Sequence, residues 1–245
     1  MRYLLLSDIH ANLQALDAVL ADATDAGSDE VLMLGDLVGY GGDPAAVIDR
    51  TLALEPVAMI RGNHDKVAAG LEPAALFNDI ARQSIEWTAE TLSPEHLRML
   101  AELPKGPRLV TPEIEISHGA PFDEDYYIFD TSDAGRAITA AGARLSFFGH
   151  THVPALFATA DDPVRPVDGA SPDDLALPAA GPALINVGSV GQPRDGDPRA
   201  AYGLLDMTTR MLSMRRVIYD IAGAQRRIRD AGLSPYLALR LERGQ

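Results

Sequence analysis

The chain predicts an α/β fold, and three observations carry that reading. Short apolar runs bounded by glycine or polar breaks (YLLLS, VLMLG, VAMIRG, EIEIS and LSFFG) read as buried strands. In the first third these runs alternate with helical periodicity, giving β-α-β-α-β, the pattern of a parallel sheet with right-handed crossovers. The later half is richer in hairpins, so the sheets are expected to be mixed.

The elements follow in order. After the first strand, Asn12 stands at a helix N-cap, and Leu13, Leu16, Val19, Leu20 and Ala23 keep helical spacing until Gly27 closes the helix. Asn12 has a second possible use, touching substrate. The second strand spans Val31 to Leu34. Asp43-Pro44 then opens a helix at N-cap and N1, running to Leu54. A third strand covers Val57 to Ile60. Residues 66–103 are mostly helical, with Ile80, Ile85 and Trp87 offering buried faces and Ser93-Pro94 starting a further short helix. Strands return at Arg108–Val110 and Ile114–Ser117. A helix near Ser132 to Ala141 precedes a strand at Leu145 to Phe148. Proline, glycine, alanine and aspartate dominate 160–182, which reads as a surface excursion with a hairpin through Val164–Val167; the alternative is a lid or dimer arm. Leu184–Val187 is a strand, Tyr202–Met207 and Met211–Ile218 form a hairpin, and helices near Ala222–Ala231 and Pro235–Leu241 follow. Arg226, Arg227 and Arg229 read as a solvated face. One domain over 1–245 is expected.

Composition narrows the classes. The 245 residues are 47% hydrophobic but 6% aromatic, so the core is expected to be aliphatic. No run of about twenty apolar residues is present, as a spanning helix would need. The N-terminal apolar stretch is interrupted by Asp8, so it reads as a strand and not as a signal peptide. Without cysteine there are no disulfides and no thiolate ligands. A cytoplasmic protein fits. The formal charge of −14 argues against a nucleic-acid surface, which clusters Lys and Arg.

What the strands deliver is more informative. Five phrases end them: Asp8-Ile9-His10, Gly35-Asp36, Gly62-Asn63-His64-Asp65, His118-Gly119 and Gly149-His150-Thr151-His152. They hold five of the six histidines. The sixth, His96, lies within a helix and reads as a surface or half-buried residue. In open α/β sheets the crevice beyond the carboxyl ends of strands binds ligands. Any one Asp or His here is as readily a helix cap or a satisfied core group; five phrases in order are not. The N/O donor set suits Mn, Fe, Zn, Co or Ni, and seven donors are too many for one ion.

In order and spacing, these phrases and the later Asn186–Arg194 stretch resemble the calcineurin-like metallophosphoesterase family, in its bacterial phosphodiesterase-like branch. The resemblance implies two packed mixed β-sheets flanked by helices. It implies that Asp8, His10, Asp36 and His152 hold one divalent ion and Asp36, Asn63, His118 and His150 a second, with Asp36 bridging ions about 3.5–4 Å apart. A water between them loses its proton near neutral pH and attacks phosphorus in line. His64 would sit over the scissile bond and protonate the leaving oxygen. Asp65 would orient that imidazole, form a salt bridge or start a helix. The family's protein phosphatases follow GD with an arginine, roughly GDxVDRG. Here the chain reads Gly35-Asp36-Leu37-Val38-Gly39-Tyr40-Gly41, leaving Arg194 or Arg61 as the phosphate clamp unless Arg194 pairs with Asp195 or Asp197. The expected activity is hydrolysis of a small phosphodiester, phosphomonoester or nucleotide. The alternatives are a non-catalytic interaction scaffold of the same fold, or a nuclease.

Overall fold

The computed structural model describes residues 1–158, 175–178 and 180–245. Its strands are β1 (Arg2–Leu6), β2 (Glu30–Met33), β3 (Ala58–Met59), β4 (Arg108–Thr111), β5 (Ile114–Ile116), β6 (Leu145–Phe148), β7 (Ala155–Ala158), β8 (Leu175–Ala176), β9 (Ala183–Asn186), β10 (Ala200–Asp206) and β11 (Met211–Val217). The helices are α1 (Leu13–Ala26), α2 (Pro44–Leu52), α3 (Asn63–Ala68), α4 (Asp79–Thr91), α5 (Pro94–Glu102), α6 (Thr131–Ala140), α7 (Ile221–Asp230) and α8 (Pro235–Leu241). Among the described residues, one sheet runs β3-β2-β1-β10-β11-β8 and the other β4-β5-β6-β9-β7. Both are mixed: β1–β2–β3 and β5–β6–β9 are parallel, and their neighbours β10, β11, β4 and β7 pair antiparallel.

The two-residue period of a strand places alternate side chains on opposite faces. Tyr3 and Leu5 of β1 join Leu32, Ile116, Phe147, Ile185 and Leu205 in the core between the sheets. Leu4 and Leu6 point the other way, into Leu16, Val19 and Leu20 of α1. On the far side Phe148 and Leu184 meet Ala134 and Ala137 of α6. The result is two packed mixed sheets flanked by helices. Asn12 caps α1 as expected, accepting from the Ala15 N–H at 3.1 Å, and Gly27 ends it at φ 75°.

Some expectations need correction. Asp43 and Pro44 open α2 at the N-cap and first helical position as expected, but the Asp43 carboxylate makes no cap bond; it accepts from Arg227 Nε at 2.6 Å. Arg227 is therefore an ion-pair partner between α2 and α7, not part of a bare solvated face, and Arg229 and Arg226 bond Gln225 and Asp220. β7 was not anticipated: Pro154 masks its start, and its ladder partner β9 lies far along the chain. Of the excursion over 160–182, only 175–178 and 180–182 are among the described residues. Leu175 and Ala176 there add an edge to β11. The hairpin through 164–167 lies outside the described residues. No described helix is long and apolar enough to cross a membrane.

Candidate metal centre

Loops after β1, β2, β3, β5 and β6 meet at one end of the sheets. The first two are zipped together by the backbone: Asp8 N–H donates to Gly35 O at 3.0 Å and His10 N–H to Asp36 O at 3.0 Å. Their conformations are unusual. Asp8, His10, Asp36, His150 and His152 all have left-handed φ, between 49° and 66°. Non-glycine residues visit that region rarely, at a cost of order 1–3 kcal/mol each. Such strain concentrated in five acidic and imidazole residues marks a site to which packing has been subordinated. Glycine is required beside it. A Cβ on Gly62 would lie 2.1 Å from Asp36 Oδ1, and one on Gly149 2.1 Å from Ser7 Oγ.

Donor atoms of Asp8, His10, Asp36 and His152 lie within 4.8 Å of one another, and so do those of Asp36, His118 and His150. All are buried. Asp36 belongs to both groups: its Oδ2 lies 3.5 Å from His10 Nε2 and 3.4 Å from His118 Nε2. Asn63 joins the second group, its Oδ1 3.2 Å from His118 Nε2.

Each histidine is aimed by the main chain. His10, His118 and His152 turn Nδ1 to the carbonyls of Val38 (3.0 Å), Leu34 (2.9 Å) and Gln192 (2.6 Å). His150 turns Nε2 to the Asp125 carbonyl at 3.1 Å. A carbonyl only accepts, so the ring nitrogen facing it carries the proton, and in the rings that burial keeps neutral, His10, His150 and His152, the other nitrogen presents its lone pair inward. Two of those lone pairs, on His10 Nε2 and His152 Nε2, face each other at 3.1 Å. Neutral imidazoles so placed repel unless a cation lies between them. Burial holds both far below the ordinary imidazole range, so they stay neutral. This donor chemistry fits a divalent metal.

The charges are mutually dependent. Burial opposes a charge on His118, but Asp36 and Asp8 outweigh it and raise its pKa to about 10. Burial lifts Asp8 to about 6 despite His118.

His64 is outside both donor groups. Its ring is buried against Tyr40 (4.4 Å), Phe77 (4.7 Å) and His10 (4.9 Å), and burial lowers its pKa to about 4. Asp65 does not orient it. The Asp65 carboxylate accepts the N–H groups of Gly62 (2.9 Å), Leu37 (2.9 Å) and Val38 (3.2 Å), tying the start of α3 to the loop after β2. Arg61 is engaged by Glu124 at 3.1 Å, which removes it as a clamp. Arg194 is free of both expected aspartates: Asp195 pairs with Arg216 and Asp197 with Arg199. It lines a cavity of about 140 Å³ together with Asp36, Asn63, His64, His150 and His152. His96 lies elsewhere, bonded to Asp49 at 3.0 Å.

A model of the calcineurin-like phosphoesterase superfamily domain matches residues 1–210. The chain belongs to this superfamily. An uncharacterised protein of Methanocaldococcus jannaschii is 32% identical over 247 residues, covering 98% of this chain and 97% of the relative. A crystal structure of a metallophosphoesterase from Sphaerobacter thermophilus is 37% identical, covers both chains fully and superposes with a TM-score of 0.88. A hypothetical protein from Pyrococcus horikoshii OT3 shares the fold at 22% identity and a TM-score of 0.78, over 100% of this chain and 98% of that one.

Residues the sequence did not single out complete the wall of this phosphoesterase domain. Tyr127 stacks on His150 at 3.8 Å between ring centroids, and Tyr40 and Phe77 enclose His64. Tyr40 had a signal: it follows the Gly35-Asp36 phrase between two glycines and adopts φ 61°. Tyr127 and Phe77 lie in irregular segments with no periodicity to expose them.

Proposed function

We propose that the chain is a metal-dependent phosphoric ester hydrolase acting on a small phosphoester. Asp8, His10, Asp36 and His152 would hold one divalent ion, and Asp36, Asn63, His118 and His150 a second. The observation that carries this reading is the shared carboxylate of Asp36, placed between two groups of donors whose free ring nitrogens converge. When bound, such a pair of ions supplies Lewis acidity and a nucleophile at neutral pH. The remaining chemistry falls to side chains. Arg194, on the cavity wall, positions the phosphoryl group through its guanidinium. His64, held by Tyr40 and Phe77, stands where it can pass a proton to the leaving oxygen. A bound phosphate raises its depressed pKa, because a nearby anion favours the imidazolium. Asn63 serves both as a donor and as a contact for substrate oxygens.

The completeness of the donor set supports catalysis over a scaffold role. The test is hydrolysis of model mono- and diesters by chelator-stripped protein resupplied with Mn²⁺, Zn²⁺, Co²⁺, Ni²⁺ or Fe²⁺. Metal-dependent turnover is expected, with Mg²⁺ alone serving poorly because imidazole donors suit softer ions. Turnover by fully stripped protein would refute the reading.

A further inference from the structure

The cleft does not end at the metal centre. Outward from the inner cavity lies a larger hollow of about 620 Å³, lined by Tyr40, Asn78, Tyr127, Arg194, Tyr236 and Arg240. Tyr40, Asn78, Tyr127 and Arg194 line both spaces, so the two adjoin. The hydrolysis proposed above calls only on the inner part.

Two cations meet in the outer part. The guanidinium carbons of Arg194 and Arg240 each lie 5.8 Å from the centre of the Tyr40 ring. Among the described residues neither forms an ion pair with an aspartate or glutamate side chain. The one acidic side chain in the wall, Asp79, is bonded to Arg82 at 2.7 Å. Arg194 donates to Gln192 Oε1 at 3.0 Å and Arg240 to the Gln245 carbonyl. Arg194 Nε is buried without any partner. In a chain of net charge −14, two guanidinium groups that converge on one ring with no aspartate or glutamate paired to either form a place for an anion to complete. The wall beside them is aromatic and accessible: Tyr127 is 40% and Tyr236 50% exposed, and Arg240 lies 5.6 Å from the Tyr236 ring. Planar rings stack on such tyrosine and arginine faces. Tyr236 and Arg240 belong to α8, beyond the stretch 1–210 that the superfamily model covers.

We infer that this outer cleft is a leaving-group subsite for a nucleotide, with its phosphate between Arg194 and Arg240 and its base against Tyr127 and Tyr236. The inference rests on the phosphoesterase reading of the inner site and narrows its substrate to compounds in which the hydrolysed P–O bond joins the inner phosphoryl group to a nucleotide: the water oxygen bonds to phosphorus, that P–O bond breaks, and the nucleotide departs with the bonding electron pair on its oxygen. The chemistry of the two halves then differs. The inner cavity recognises a phosphoryl group through metal donors and Arg194, whereas α8 recognises a second anion and a ring.

The test is titration calorimetry on the full-length, metal-loaded protein with the methylene analogue of adenosine diphosphate, alongside inorganic phosphate. Arg240→Gln is expected to weaken the analogue about 10–100-fold, the range of a lost charge-assisted hydrogen bond, while Arg240→Lys retains part of the affinity. Tyr236→Ala is expected to weaken the analogue about 5–100-fold by loss of stacking and to leave inorganic phosphate within about twofold, because stacking needs a base. Tyr236 is half exposed and Gln keeps the aliphatic stem of Arg240, so unchanged thermal midpoints serve as the folding control. Failure of the analogue to bind, or equal binding to wild type, Arg240→Gln and Tyr236→Ala, overturns the subsite even if small esters are hydrolysed. Absence of metal-dependent hydrolysis of every ester, with analogue affinity still dependent on Arg240 and Tyr236, overturns the phosphoesterase reading and leaves the nucleotide site standing.

Discussion

Replacing Asp36 by Asn asks whether one carboxylate serves both groups of donors. Asp36 Oδ1 accepts the His64 N–H at 2.8 Å, and Oδ2 faces His10 and His118 at 3.5 and 3.4 Å. Asn keeps an oxygen for the backbone bond, so the loop is retained and only the anion is lost. Burial disfavours that anion, but the protonated His118 beside it, by charge and by hydrogen bond, leads in holding the carboxyl well below its usual range, so it is charged at neutral pH. A ligand that binds only the folded chain at about a hundred times its Kd adds about 2.7 kcal/mol of stability. For a chain of this size each kcal/mol moves Tm by about 2–4 °C, so one site gives about 5–11 °C. Two occupied sites give up to roughly twice that. The assay is calorimetric melting of chelator-stripped protein with and without Mn²⁺ or Zn²⁺, with bound metal counted in parallel. Wild type is expected to bind two equivalents and show the full shift. Asp36→Asn is expected to lose most of it, whereas His152→Ala and His150→Ala each lose roughly half, as loss of one of two sites requires. Two equivalents and an undiminished shift in Asp36→Asn would refute the bridging role.

Further predictions concern catalysis and stability. His64→Ala is expected to retain metal but lose about 10²–10⁴-fold in kcat/KM on an alkyl phosphoester, and less on a p-nitrophenyl ester whose leaving group needs no proton; equal losses on both would remove the general-acid role. Asp65→Ala is expected to act on stability, by about 2–4 kcal/mol, because three buried N–H groups lose their acceptor; chemical denaturation measures this, and a purely kinetic defect would contradict it. Phe147→Ala, at 0% exposure between the sheets, should cost about 3–5 kcal/mol in the same assay. Asp22 accepts from Arg215 (2.9 Å) and the Tyr202 hydroxyl (2.7 Å), and the Arg215 hydrogen bond leads in depressing its pKa. A carboxylate depressed on folding contributes its stability above the unfolded value near 3.9 and loses it as pH falls through the folded value. Asp22→Asn should therefore cost about 1–2 kcal/mol at pH 7, with the difference shrinking below about pH 4; a constant difference would exclude the linkage.

Local patterning carried much of this protein in its sequence. The apolar runs and helical periodicity specify β1, α1, β2, α2 and the β10–β11 hairpin, because each is decided by neighbours within a few residues. The five phrases at strand ends were legible for the same reason: a parallel sheet with right-handed crossovers sends successive strand ends to one edge, which brings Asp8, Asp36 and Asn63 together after β1, β2 and β3, and His118 and His150 together after β5 and β6, while only the packing of the two sheets joins the two sets. Contacts distant in sequence were decided only by the tertiary structure. Periodicity did not place β7, since its pairing with β9 depends on packing the second sheet. Nothing near Asp65 announces that its carboxylate serves the backbone of Leu37 and Val38, nor near Arg61 that Glu124 occupies it. Tyr127 reaches His150 from an irregular loop, and Arg240 reaches Tyr40 from the last helix, two hundred residues along the chain. Periodicity records which face of a segment is apolar; it holds no information on which distant face it will meet. Side chains that complete a cleft from loops and terminal helices are therefore set by three-dimensional packing alone.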